Sequence, residues 1–318
     1  MWPSKALPIF GTCLVASVKV HHRFPHRLAT ILQVRKNFET TNSTEQKFKL
    51  RVLGNTMAKI YSAGDWAVQL GPVYAESAFH HSVKGTEIFN YGKWLKEALE
   101  SNGQHEVTSV PSWDFYMLKP GEYETILATY DAVIFSDLEA RNFQLAPAFF
   151  KREQFGKQYL TFPDRIRLTI EAVQGGLGVM FLGGWQSFNG DHGMGGWGRC
   201  RLRELLPVTC LDFEDLIEST EGYEADVIVP NHPILRGLDF SKLPPILGYK
   251  QVKSRPEGEV LALWKGTSDP LLAVSQIGKG RSVAYTSDPA PHWGCNFVFW
   301  EHYNQFWLNV AEWLVGLR

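Results

Sequence analysis

One stretch near the end of the chain pairs a carboxylate with an imidazole. In "SDPAPHWG", Asp288 stands four residues before His292. Imidazole titrates near neutral pH, and a carboxylate that fixes one ring nitrogen leaves the other free to give or take a proton. If the intervening loop folds back, Asp288 orients His292 as a general acid or base. The alternative is a histidine bonded to backbone in a proline-rich turn. Asp65 in "AGDW" and Asp137 in "IFSD" also follow apolar runs, where a carboxylate either positions a ligand or caps a local turn. Three aspartates with one histidine suit a divalent cation in ligand type. No H-E-x-x-H or other local metal spacing accompanies them, and no metal is expected.

A second stretch, "GVMFLGGWQSFNG" (178–190), reads as a buried strand running into a glycine turn. A nucleophile elbow, G-x-S-x-G or its Cys form, needs small residues on both sides of the nucleophile because the turn is strained. Aligned on Gly183, Trp185 fills the nucleophile slot and Ser187 stands where the last glycine belongs. An indole cannot attack a carbonyl. Cys295 lies three residues after His292, at the expected start of the final helix, where backbone amides favour a thiolate; a small buried thiol is the plainer role for it and for Cys200. Trp66, Trp185 and Trp293 each follow a strand, and an indole offers a flat apolar face with one donor, which suits sugar rings and other partly apolar ligands. With Asp65, Asp137, Gln186 and Ser187 they make the expected ligand rim. "DHGMGGWGRCRLRELLP" reads as a mobile glycine-rich loop entering a short helix and able to close over that rim. It lacks the P-loop pattern.

These residues need a scaffold that brings strand ends together. From residue 58 strands and helices alternate, the signature of a parallel sheet covered on both faces, and such sheets bind ligands at the carboxyl ends of their strands. "AKIYSAGDW", "HEVTSVP" and "DAVIFSD" give the first strands. A helix is expected over 86 to 101, where Ile88, Tyr91, Leu95 and Leu99 recur at helical spacing before Asn102-Gly103. Asp164 caps a helix whose apolar face is Ile166, Ile170 and Val173, closed by Gly175-Gly176 before "LGVMFLGG". "ILGYKQV", "EVLALWKG", "PLLAVSQIG" and "GRSVAYTSD" read as short strands added antiparallel or at a sheet edge. A last helix carries one apolar stripe of Phe299, Tyr303, Phe306, Val310, Trp313, Leu314 and Leu317, expected to pack on the sheet.

With 318 residues, 44% hydrophobic and 20% charged, the chain has an ordinary globular composition and no linker that marks a second domain. Its net charge of -1 hides an asymmetry: six basic residues precede the first acid, Glu39, and without them 26 basic residues face 33 acidic ones. A nucleic-acid-binding face is therefore not expected. Cys13, Cys200, Cys210 and Cys295 show no C-x-x-C pair, which suits a reducing compartment, and the protein is read as cytoplasmic. No run reaches the ~18 apolar residues of a membrane helix, so no membrane partner is expected. Residues 1–56 read as a basic, weakly structured extension, with a signal or transit peptide as the alternative, and residues 57–318 as the working domain. A small-molecule ligand is the expected partner, self-association into a homo-oligomer is left open, and no cofactor is named.

Several motifs occur together and in order: "AGDW", "VIFSD", "GGLGVMFLGGWQSFNG", "RELLPV", "NHPILRGL", "ILGYKQV", "DPLLAVSQIGKGRSVAYTSD" and "PHWG". Over residues 57 to 318 the chain resembles a family of putative glutamine amidotransferases, related in fold to class I amidotransferase domains and to trehalose-utilisation-type proteins. The resemblance implies an α/β protein with a flavodoxin-like three-layer α/β/α sandwich and a mainly parallel sheet. A working class I enzyme carries Cys in the elbow and a His-x-Glu pair downstream. Here Trp185 fills the Cys slot, and Trp293 and Gly294 follow His292, so a Cys-dependent glutaminase is not expected; His232 in "NHPILRGL" more plainly shapes a loop. The reading is a hydrolase or transferase acting on a small polar ligand through Asp288 and His292. The alternatives are a carbohydrate-like binding module without turnover, built on the three indoles, and an assembly protein.

Overall fold

In the computed structural model, residues 57–317 are described, apart from 71–72, 78–79 and 84. The basic extension read at 1–56 lies outside the described residues. The chain enters on β1 (Ala58–Gly64) and makes an excursion of four strands, β2 (Trp66–Leu70), β3 (Val73–Ser77), β4 (His80–Val83) and β5 (Thr86–Asn90). In it β2 pairs antiparallel with β5 and β3 with β4. Then come α1 (Lys93–Glu100), β6 (His105–Val110), α2 (Ser112–Met117), α3 (Glu122–Thr129), β7 (Ala132–Ser136), α4 (Arg141–Gln144), α5 (Arg165–Gly175) and β8 (Gly178–Leu182). The second half runs through β9 (Val208–Cys210), β10 (Leu216–Tyr223), β11 (Ala225–Val227), β12 (Ile246–Lys250), β13 (Val252–Ser254), β14 (Glu259–Trp264), β15 (Pro270–Ile277) and β16 (Gly280–Tyr285) to α6 (Tyr303–Leu314).

Eight of these strands form the central sheet, in the order β11-β14-β15-β16-β8-β7-β1-β6. From β6 to β16 the neighbours are parallel; β15, β14 and β11 extend the sheet antiparallel. β7 and β8 are buried at every position, as strands covered on both faces must be. Their side chains alternate between two cores. Ile60, Ile134, Met180, Leu182 and Tyr285 face one, with Leu95 and Leu99 of α1 and Phe306, Trp307 and Val310 of α6. Tyr61, Val133, Phe135, Val179 and Phe181 face the other, with Phe115 of α2, Tyr123 of α3, and Ile166, Ile170 and Val173 of α5. Helices therefore cover both faces, which is the expected flavodoxin-like α/β/α sandwich.

Three boundaries differ from the sequence reading. Residues 86–90 are strand, paired residue for residue with Trp66–Leu70, and the helix begins only at Lys93. Thr86, Ile88 and Phe89 are β-formers, and Ile88, 60% exposed, takes no part in a helical core face. "ILGYKQV" splits between β12 and β13, which pair with β10 and β9 outside the central sheet. Phe299 is 77% exposed in a short 3-10 turn, so the buried stripe of the last helix starts at Tyr303. Asp164 does cap α5, accepting the Arg167 N–H at 2.7 Å. Among the described residues no helix is long and apolar enough to cross a membrane.

Candidate functional site

Register determines where the chemistry gathers. Gly64 pairs with Ser136, Ser136 with Leu182, and Leu182 with Tyr285. The next residues, Asp65, Asp137, Gly183 and Thr286, therefore leave the sheet side by side at its carboxyl edge. Asp65 and Asp137 both adopt left-handed backbone, with φ of 54° and 48°, a conformation that aspartate tolerates better than most residues but that still costs energy. Both carboxylates lie within the field of the Asp288 charge. Burial drives Asp65 well above the usual carboxylate range; the charges of Asp288 and Asp137 add to this, and a hydrogen bond from Ser136 opposes it. Burial likewise pushes Asp137 up to about 6, against the Gln186 N–H, with Asp288 raising it and His292 and Lys250 lowering it. Oδ2 of Asp65 is buried with no hydrogen-bond partner among the described residues.

The loop after β16 does fold back. His292 Nδ1 lies 2.8 Å from Asp288 Oδ2, while Asp288 Oδ1 accepts the Ala290 N–H at 3.1 Å. Burial alone would lower the imidazole's pKa. The hydrogen bond and charge of Asp288, reinforced by Asp137 and Glu218, outweigh it and hold His292 above its ordinary value. Nδ1 is committed to Asp288, so Nε2 is the nitrogen left for a ligand, and it is buried with no hydrogen-bond partner among the described residues. Trp185 meets the ring edge-on at 4.6 Å and Trp293 lies at 5.0 Å. Both indole N–H groups donate to Glu218 Oε1, at 3.2 Å and 2.6 Å. Burial raises the Glu218 carboxyl, but the two indole donors with His292 and Lys250 prevail, and it sits below its usual range.

The glycines of the elbow are sterically required. A Cβ on Gly183 would lie 2.6 Å from the Thr286 carbonyl oxygen, and Gly184, at φ +137°, lies against the Asp137 carboxylate. Trp185 then turns outward, 49% exposed. Gln186 N–H donates to Asp137 Oδ1 at 2.5 Å, and the fully buried Ser187 accepts the Asp137 N–H at 3.0 Å. Ser187 thus fixes Asp137 and is shielded from any ligand. Trp293, 2% exposed, supports the imidazole from within and offers no open face. Trp66 opens β2 and donates to Ser109 on β6 at 3.4 Å, apart from the indole pair at His292.

Sequence reasoning missed the support beneath the elbow. Lys250 and Asp215, both fully buried, pair at 3.2 Å. The ammonium also donates to the Trp185 carbonyl at 3.2 Å, and the carboxylate accepts the N–H groups of Asn189 and Gly190 at 2.8 and 3.2 Å. Burial raises Asp215 despite Lys250 and these donors. The pair ties β12 to both ends of the turn that carries Trp185.

Two expectations are corrected. The glycine-rich segment is pinned, because Trp197 is fully buried and donates to the Leu138 carbonyl at 2.7 Å; it cannot swing as a lid without emptying that core. Cys295 lies in the turn after His292, eight residues ahead of α6, and so not at the start of that helix. Burial pushes the Cys200 thiol up, away from nucleophilic use. Among the described residues, the side chains near enough to share a cation are Asp191, His192 and Glu214 at the surface, not the three aspartates with His292.

Beside the aspartates a cleft of about 720 Å³ opens, lined in part by Ser112, Tyr116, Asp137, Asn142, Phe150 and Gln186. Asp137 and Gln186 join it to the acid cluster.

A family model described as putative glutamine amidotransferase matches residues 75–316. That span contains every site residue above except Asp65 and Trp66. Among solved structures, the chain is similar to cytoplasmic protein STM1381 from Salmonella typhimurium LT2, at 28% identity and a TM-score of 0.70, over 80% of this chain and 99% of that one. It is similar also to cytoplasmic protein STM3548 from Salmonella typhimurium, at 25% identity and a TM-score of 0.70, over 80% and 98%. No curated protein matches the chain.

Proposed function

The chain belongs to the putative glutamine amidotransferase family, and from that premise we propose that it uses the family's sheet edge for acid–base chemistry on a small polar ligand, as a hydrolase or transferase without a cysteine nucleophile. The observation that carries this reading is the 2.8 Å pair of His292 and Asp288 beside two aspartates whose carboxyl pKa values are raised by burial. An enzyme that must give and take protons near neutral pH needs groups whose environments push their pKa values together there. His292, raised, donates from Nε2. Asp288 holds the ring and balances the imidazolium. Asp137, near 6, can accept a proton from a bound hydroxyl or water, and Asp65 positions the ligand. With Trp185 in the elbow, the attacking group has to be water or a second substrate.

The half-exposed indole of Trp185 supports a second reading, a binding module without turnover. We also take residues 57–318 as the working domain with 1–56 appended to it, and place the protein in the cytoplasm with the two Salmonella proteins that carry that name. The test is turnover of the full chain on small amides, esters and glycosides, with ammonia release from glutamine among the readouts. Activity lost in both His292→Ala and Asp288→Asn, with the urea midpoint unchanged, is the expected result. Activity that survives His292→Ala overturns the acid–base reading, and glutamine hydrolysis abolished by Cys295→Ser or Cys200→Ser would show a relocated nucleophile.

A further inference from the structure

The cleft that shares Asp137 and Gln186 with the acid cluster has a chemistry of its own. Where it meets Asp137 and Gln186 it presents hydrogen-bond acceptors. Oε1 of Gln186 is buried with no hydrogen-bond partner among the described residues. A buried acceptor left unpaired costs about 1–3 kcal/mol, so the end of a ligand seated here must bring hydrogen-bond donors. An anion is unsuited to it. The cation on the cleft wall, Arg141, is already bound to Glu139 at 2.7 Å, and a negative group would meet the Gln186 Oε1 acceptor and the Asp137 carboxyl.

An ammonium would satisfy acceptors only. The lining also carries donors, the Ser112 hydroxyl and the Gln186 amide, and a hydroxyl, which gives and takes one hydrogen bond at once, matches donors and acceptors alike. Farther out the cleft turns amphipathic. Phe150, 71% exposed, and Tyr116 supply aromatic faces, while Ser112 and Asn142 supply polar edges. Aromatic faces flanked by hydroxyls and amides fit a ring whose faces are C–H and whose rim is O–H. The volume is within the ordinary range for a small-ligand pocket.

We propose that this cleft is the ligand site and takes an uncharged, polyhydroxylated ring of monosaccharide to disaccharide size, with one hydroxyl bonded to Gln186 Oε1 and Asp137. The assignment rests on the acid–base reading in so far as Asp137 belongs to both.

The experiment is a saturation-transfer NMR titration of the full chain with three probe sets of one skeleton: neutral hexoses (glucose, galactose, mannose), their 2-amino counterparts and their uronates. At least one neutral hexose should bind, its uronate about tenfold or more weaker and its amino sugar no tighter. Gln186→Leu should weaken the hexose about tenfold, and Phe150→Ala, at an exposed position that folding does not depend on, about threefold or more. A uronate or amino sugar that binds tighter than every hexose overturns the assignment. So does failure of every neutral hexose, or hexose binding indifferent to both variants. His292→Ala should leave hexose affinity within about threefold. Hexose binding without His292-dependent turnover would therefore sink the catalytic reading alone, and His292-dependent turnover with no hexose binding would sink this one alone.

Discussion

Asp137→Asn should stabilise the protein, and increasingly so as pH rises. The carboxyl titrates at about 6 in the folded chain against an ordinary 3.8. Because the folded value is the higher, the native state holds the proton longer than the unfolded state does; this contribution to stability is complete below the ordinary value and is lost as pH climbs through the folded one. Each tenfold change in proton affinity is worth about 1.4 kcal/mol, so the cost of ionising Asp137 reaches about 3 kcal/mol near neutral pH. That is a ceiling, since the side chain is only half-buried at the cleft edge and water shares its charge. Asparagine keeps an Oδ1 to accept the Gln186 N–H, tolerates the left-handed backbone at this position, and has no charge to desolvate. About half of the cost is in place near pH 5, so the variant's advantage should grow by about 1.4 kcal/mol between about pH 5 and pH 7.5. Urea unfolding followed by tryptophan fluorescence at the two pH values measures this directly. An advantage that does not change with pH, or a variant less stable at both, would refute the claim that burial raises this carboxyl.

Two further outcomes follow from the same electrostatics. Lys250→Met strands Asp215 as an unpaired buried carboxylate and should cost about 3–5 kcal/mol in urea unfolding, with Asp215→Asn added in the same chain recovering part of the loss; a loss under about 1 kcal/mol would mean the pair is not buried in solution. Glu218→Gln keeps an oxygen for the two indole N–H groups but removes a negative charge that faces His292. The imidazole pKa, read by NMR, should fall toward its ordinary value, and the stability that His292 contributes below 6.5 should then be lost at lower pH than in the parent; an unmoved imidazole excludes Glu218 from its field.

The central sheet was legible because burial on two faces leaves an unmistakable trace. "AVIF" and "VMFL" have no polar residue to offer, and only a strand covered by helices on both sides can use such a run. The excursion at 66–90 was not legible. Ile88, Tyr91, Leu95 and Leu99 keep helical spacing across a boundary the pattern cannot show, because β5 owes its existence to Trp66–Leu70, some twenty residues upstream. Phe299 misleads for a related reason: its position continues the stripe of α6, but the turn that precedes the helix leaves it at the surface beside Trp94, 5.8 Å between ring centres.

The site divides along the same line. Asp65, Asp137, Asp288 and His292 could be named because each follows a strand of one parallel sheet, and register alone brings such residues together. Lys250, Asp215 and Glu218 could not, because they belong to β12, a loop and β10, which reach the site by folding over it. The one cue was Lys250 itself, a cation closing the apolar strand "ILGYK", which needs a partner if it is buried. Its role bears on the elbow. Gly183 and Gly184 keep the tight turn that a nucleophile would need, yet the turn carries an indole, and a side chain that large cannot be held by small flanking residues. The Lys250 ammonium on the Trp185 carbonyl and the Asp215 carboxylate on the next two amides but three hold the turn instead. An elbow braced in this way from a separate layer holds Trp185 edge-on to His292, 4.6 Å between ring centres, so on the proposed reading the turn shapes the surroundings of the imidazole.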